Sequence, residues 1–533
     1  MNQGPLNTRT LTIVGVTILG LLAAIYTGRA IATGDFKLIL LGAAAAIAMT
    51  VGLSLGKHYW MLIPLTFFAD GSIGALPLPF SYKEIGIIGG FGLYLFHVSF
   101  KKQPFRNTTN AMDLFIWANA AYLLSVYIRN PVGTLAMRTE LVGGRPYFTL
   151  MLTLLAYLVI SQGRVGEKMG RRMPLILACA MIIPSSLFIL TEFFPKTAGV
   201  IYPFYSGVNI EDFNLGLSSG GELESTEIRI TSLANIGRPL ILTLCALYPP
   251  ITLVNPMYFG RFFLWASGLV LSGLSGFRNL IMAIAAYMVI GSVVRKRYLD
   301  NMILACIAIA SVILLSSVHM AGAPVPFAIQ RALSFIPIDW DAAAIRSADD
   351  TADWRFEMWK DAWTRPDHMR SKMFGDGFGY TFKEMMLMSD ELLGIGGFMN
   401  SAKYEGHLIR GSYHSGPLST IKRVGFVGAV FLIGLMFTAF RFCLAVIDRT
   451  RNTPFFAWTL FISIPILYLP FEYIFIFGDY TNAITTLFFS GGMLKTIDNS
   501  LALWKSKENP GPGRPALQPV QDDLEAPGLS NAR

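Results

Sequence analysis

His414 stands in the stretch "GSYHSGPLSTIKRVGFVG", residues 411–428, directly ahead of a long apolar run. A neutral imidazole there can accept a proton from a hydroxyl, and the setting favours the neutral form. Gly416 and Pro417 read as the N-cap and first-turn residues of a helix. The positive end of that helix, with Lys422 and Arg423 close by, disfavours a second positive charge on the ring. A lone loop histidine is ordinarily just a solvated polar residue, and His368 and His407 are read that way. His414 differs in its company.

That company is a set of arginines at helix ends. Arg229 and Arg238 lie in "EIRITSLANIGRPLIL", and Arg278 opens a helix in "SGLSGFRNLIM". One arginine near a membrane boundary is normally an anchor that reaches for lipid headgroups. Several of them on helix N-termini would make an anion pocket, because free N–H groups and guanidinium forks both suit phosphate oxygens. In "DWRFEMWKDAW", Phe356, Trp359 and Trp363 recur at helical spacing, which predicts a helix lying flat at a membrane interface with Arg355 facing the substrate. The glycines of "MFGDGFGYTF" follow no strand and precede no Lys-Ser/Thr pair, so they read as a turn and not as a nucleotide loop.

The elements that must position these residues are membrane helices. The chain has 533 residues, 53% of them hydrophobic and 14% charged, with a mean hydropathy of +0.50, too little polar surface to cover a water-facing exterior. Windows of spanning length fall at 10–28, 37–55, 59–76, 85–100, 111–128, 147–161, 174–192, 238–254, 258–274, 277–294, 299–319, 424–447, 454–474 and 481–498. This predicts an all-α polytopic membrane bundle of about 14 transmembrane helices, in a range of 12–14. The first run is read as a retained helix and not as a cleaved signal.

If the spans alternate, the clusters at Lys101-Lys102 with Arg106, Arg164 to Arg172, Arg295 to Arg297, and Arg449 with Arg451 share one side. The excess of cations in cytoplasmic loops makes that side cytoplasmic and puts both termini there. The formal charge of +9 is thereby accounted for without nucleic acid. The organisation expected is helices over 1–319 with an outer loop at 193–237, a large outer loop at 320–423, further helices over 424–498, and a disordered Pro-rich tail at 499–533. The large loop holds 12 Lys/Arg and 13 Asp/Glu, so it is a charge-balanced, partly folded insertion and not a polybasic lipid-binding segment. Function concentrates in long loops of this kind. Cys179, Cys245, Cys306 and Cys443 lie in apolar runs, with neither zinc spacing nor a disulfide framework. The span centres are nearly free of ionisable groups, which argues against an ion-coupled transporter.

Four stretches, "RITSLANIG", "SGFRNLIMA", "RFEMWKDAW" with "FGDGFG", and "HSGPLSTIKRVGFVG", follow one another in the order seen in the O-antigen ligase and polymerase superfamily, and the chain resembles that family over roughly residues 220–445. The resemblance implies a GT-C-like, metal-independent glycosyltransferase of the bacterial inner membrane that needs no cofactor. Its donor would be an undecaprenyl-diphosphate-linked oligosaccharide and its acceptor a glycan hydroxyl at the periplasmic face. Membrane lipids would surround it, and a flippase and a chain-length regulator would be its partners.

By that resemblance Arg229 and Arg278 would neutralise the diphosphate and His414 would activate the acceptor hydroxyl; Arg238, Arg355 and Tyr413 are expected, beside it, to contact substrate. Ser415 departs from the family pattern, where asparagine commonly follows the histidine, and Phe277 replaces a serine before the second arginine. The helix number favours a polymerase of exopolysaccharide or O-antigen repeats over a ligase acting on lipid A core. A non-enzymatic translocator or export subunit is the alternative from another class.

Overall fold

The computed structural model describes Gly28 and residues 55–73, 80–101, 109–133, 141–206, 231–275, 277–386 and 399–508. Expected spans 10–28 and 37–55 lie outside these residues except at Gly28 and Leu55.

The described chain is helical apart from three two-residue strands. In order it forms α1 (Tyr82–Lys101), α2 (Ala111–Arg129), β1 (Val132–Gly133), β2 (Leu141–Val142), α3 (Arg145–Ile160), α4 (Glu167–Phe193) and α5 (Thr231–Leu247). There follow α6 (Phe259–Leu274), α7 (Arg278–Val294), α8 (Tyr298–Met320), α9 (Phe327–Leu333), α10 (Ala342–Thr364), β3 (Tyr380–Thr381), α11 (Met399–Arg410), α12 (Gly416–Thr450), α13 (Phe456–Phe471) and α14 (Tyr480–Glu508). The strands form one small sheet, β1 parallel to β2 and β2 antiparallel to β3.

Among the described residues, five helices are long and apolar enough to cross a membrane: Ala111–Arg129, Glu167–Thr191, Tyr298–Met320, Gly416–Thr450 and Phe456–Ile476. Four shorter apolar helices accompany them, at Arg145–Ile160, Ser232–Leu247, Phe259–Leu274 and Asn279–Val294. On α8, Ile309, Ile313 and Leu314 are each at least 60% exposed. Such a surface suits lipid and not water. These are the properties of a helical membrane protein; among the described residues, five of the fourteen expected windows carry a full-length apolar helix.

Several boundaries move from their expected places. Among its described residues, the window 59–76 holds a 3-10 turn, Gly56–Met61, and the five-residue helix Leu62–Thr66, after which Ser72 bridges to Ser81 and Ser206. Eleven helical residues are too short to span a bilayer. Helix α5 begins at Thr231 and not at 238, so Arg238 lies two turns inside a helix. Close packing on α6 holds that extension in place: a Cβ on Gly237 would meet Ser272 Oγ at 2.3 Å and the Gly268 carbonyl at 2.8 Å. Helix α14 runs to Glu508, ten residues past the expected end, because Asn499 Nδ2 donates to the Ser161 carbonyl and Val165 N–H to Ser500 Oγ. The tail beyond 508 is outside the described residues.

The bundle has two distinct ends. At one, the start of α2, the end of α3 and the inner turns of α14 meet around Asp113, Tyr157 and Lys495. Arg451 reaches the Val294 carbonyl there, and Arg295 the Ala246 carbonyl, which places the C-termini of α5, α7 and α12 together. At the other end α5 and α7 begin, α2 finishes and α12 starts. A second, smaller core of Met358, Ala362, Met369, Leu408, Tyr413 and Ile421 forms there, so the large insertion packs around an interior of its own.

Candidate functional site

His414 occupies the five-residue connection between α11 and α12. Helix α11 closes with Ser412 N–H donating to the His407 carbonyl at 3.0 Å and Gly411 N–H to the Leu408 carbonyl at 3.3 Å. Gly411 has φ +68°, and together these features form a Schellman cap. Tyr413 follows with its ring wholly buried in the small core. Its hydroxyl donates to the Leu408 carbonyl at 3.2 Å, and its own carbonyl accepts from Trp359 Nε1 at 2.6 Å. Burial pushes the phenol pKa upward, so the ring stays neutral. Tyr413, expected to touch substrate, therefore supports the backbone of its neighbour instead. Trp359, expected at a membrane interface, is the other half of that support, whereas Phe356 and Trp363 on the same helix are exposed.

On the far side of His414, Ser415 is the N-cap and Gly416 and Pro417 open the helix, so the cap falls one residue earlier than expected. The Ser415 hydroxyl makes no capping hydrogen bond. Gly416 is pressed against the turn that follows α13: a Cβ would lie 2.5 Å from the Tyr473 carbonyl, and Tyr473 donates to the Gly416 carbonyl at 2.8 Å. Fixed on both sides, His414 takes φ +50°, in the left-handed region. A non-glycine residue there carries about 1–2 kcal/mol of strain.

The ring of His414 meets three others. Its centroid lies 5.7 Å from Trp354 of α10, 5.5 Å from His407 of α11 and 4.9 Å from Phe477. Trp354 and His407 meet edge to face at 5.3 Å. His407 thus belongs to the site, and the signal for it was the Gly411 cap that turns the chain back over the last turn of α11. His368 is also not solvated but 6% exposed. Burial first, then the charge of Arg365, holds its pKa below the ordinary histidine value.

Lys422 and Arg423 do not turn toward His414. Lys422 Nζ donates to the His368 carbonyl at 2.6 Å, and Arg423 donates to the carbonyls of Gly377 (3.2 Å) and Arg410 and to the Tyr380 hydroxyl (3.3 Å). Both are buried cations whose hydrogen bonds offset their lost hydration. They hold the "FGDGFG" turn against a break in α12 at Gly425, where φ is +71° and ψ −178°.

At this break the helix loses backbone partners, and the turn supplies them. Asp376 and Gly377 N–H donate to the Lys422 and Arg423 carbonyls, while Phe426 and Val427 N–H donate to the Lys372 and Met373 carbonyls. A Cβ on Gly425 would lie 2.3 Å from the Met373 carbonyl, and one on Gly375 2.5 Å from the Val424 backbone. Asp376 closes the turn by accepting from Arg370 N–H at 3.0 Å and Ser371 N–H at 2.8 Å. The turn expected here is real, and its work is to complete α12.

Of the arginines, Arg238 donates through Nε to the Tyr287 hydroxyl at 2.7 Å and through Nη2 to Glu472 Oε2 at 3.0 Å. Glu472 opens the π-helical turn Glu472–Ile476, and the Phe477 N–H donates back to its carbonyl at 3.0 Å, so Arg238 is tied to the segment that carries Phe477. Arg355 neighbours Trp354 on α10. Burial, then the charge of Arg355, lowers the pKa of Arg331 on α9. Arg278 is the first residue of α7, the helix that carries Tyr287 to Arg238. Arg229 lies outside the described residues. No family model, no curated protein and no solved structure matches this chain.

Proposed function

We propose that the chain is an inner-membrane polysaccharide polymerase, which transfers a growing glycan from a polyprenyl diphosphate to a sugar hydroxyl of the next lipid-linked repeat at the periplasmic face. In this reading the acceptor oxygen attacks the anomeric carbon as its proton passes to His414. The bond from that carbon to the diphosphate breaks, and the departing diphosphate stays with Arg278 and Arg229. Arg238 already has Glu472 as its counter-ion, so it steadies the pocket wall while the other two arginines take the leaving group.

The observation that carries the reading is the left-handed backbone of His414, over-determined by Tyr413 and Gly416, at the bundle end where α5 and α7 begin. Strain of this kind persists where a side chain must be aimed. The order of the four sequence motifs supports the same reading. The glycan profile of a deletion strain tests it. Single repeats attached to their final acceptor are the polymerase result; long lipid-linked chains with no final acceptor would make the protein a ligase. Unchanged elongation in detergent, with repeats trapped on the wrong leaflet in cells, would make it a translocator.

A further inference from the structure

We propose that Phe477, Trp354 and His407 form the acceptor subsite, a platform for one pyranose ring whose hydroxyl faces His414. The inference rests on the transferase reading and adds to it the place and chemistry of acceptor binding. A pyranose presents an apolar C–H face and a rim of hydroxyls, so its site needs an aromatic surface with polar groups at the edge. Phe477 is 42% exposed, Trp354 and His407 are partly exposed, and all three rings touch His414 or its ring neighbours. An acyl or isoprenoid chain would gain nothing from two imidazoles, whereas a sugar uses them as hydrogen-bond partners.

Each ring also has rigid backing. Trp354 packs on the small core with Tyr404, His407 lies in the last turn of a capped helix, and Phe477 follows a turn tied to Arg238 through Glu472. A platform held in this way binds without first having to be ordered. It also selects: a sugar that stacks on Phe477 and Trp354 presents one hydroxyl to His414, and the linkage formed follows from which one.

The probe is the lipid-free oligosaccharide released by mild acid from the host strain's own lipid-linked repeat, titrated calorimetrically into the purified full-length protein. The wild type binds it. Phe477→Ala and His407→Ala each weaken binding about tenfold, Trp354→Phe weakens it less, and His414→Ala still binds. In elongation assays at saturating donor, Phe477→Ala raises the acceptor KM by a similar factor with little change in kcat. No binding by the wild type, or wild-type binding by both alanine variants, overturns the subsite. Binding that depends on Phe477 and His407 in a protein unable to transfer upholds the subsite and removes the transferase reading.

Discussion

Two buried polar clusters in the bundle are built in opposite ways. Around Asp113, charge is cancelled at close range. Asp113 receives Lys495 Nζ at 2.8 Å on both oxygens, the Tyr157 hydroxyl, and the Asn110 N–H at 2.7 Å, and Arg449 meets Asp498 at 2.7 Å. At the His414 end, Lys422 and Arg423 are held by carbonyl oxygens and aromatic faces, α12 is broken at Gly425, and a histidine sits in a left-handed conformation. The first arrangement is a clamp. The second accepts backbone strain at His414 and a helix break at Gly425, with buried cations that hold the turn completing α12.

The contrast predicts where substitutions act. Removing one member of the clamp should have the largest effect on stability. Lys495→Met leaves a buried carboxylate without its cation, costing about 3–5 kcal/mol, and Asp113→Leu in the same chain recovers part of the loss. Melting of the purified protein in detergent checks both. Rate per folded molecule is expected to stay near wild type.

Gly425→Ala comes next, at about 2–3 kcal/mol, because it strains a positive φ and drives a methyl group into the Met373 carbonyl. Limited proteolysis should then open residues 366–379 first while the clamp stays closed. At His414 itself, a branched Cβ resists the left-handed region and asparagine tolerates it, so His414→Val should melt below His414→Asn by about 1 kcal/mol.

The smallest effect is one of pH. His368 sits within 3.6 Å of Glu405, which also pairs with Arg365, and Asp367 and Lys422 add smaller effects of opposite sign. Its pKa is lower folded than unfolded. Between the two values the unfolded chain therefore takes up a proton that the folded insertion refuses. Its contribution is full above about pH 6.5, is lost as pH falls from there toward the folded value, and is constant below it. His368→Gln should flatten that part of the stability profile.

Much of this was legible in the residues. Apolar runs foretold a helical membrane protein, the Trp-rich stretch foretold α10, and "FGDGFG" foretold a turn. The sequence could not show that the turn supplies the hydrogen bonds missing at Gly425, because that pairing joins residues about fifty apart and depends on two positive-φ glycines meeting. Tyr413 read as a substrate contact because a tyrosine beside a candidate base is chemically plausible; only packing shows that its ring points inward. Arg238 read as the outer end of a helix because hydropathy places a boundary where apolarity begins, whereas the helix already runs from Thr231 through Arg238 on small-residue packing with α6. His407 was passed over as a loop residue because nothing in a periodicity count shows that the cap at Gly411 folds it over His414.

The central claim is that chemistry belongs to the His414 end and not to the clamp. The most direct measurement compares single-turnover elongation of lipid-linked repeat by wild type, His414→Ala and Lys495→Met, each purified and scaled to its folded fraction. The account predicts that His414→Ala loses about a hundredfold or more while its melting temperature stays close to that of the wild type, and that Lys495→Met keeps its rate per folded molecule. Elongation by folded His414→Ala at the wild-type rate would contradict it.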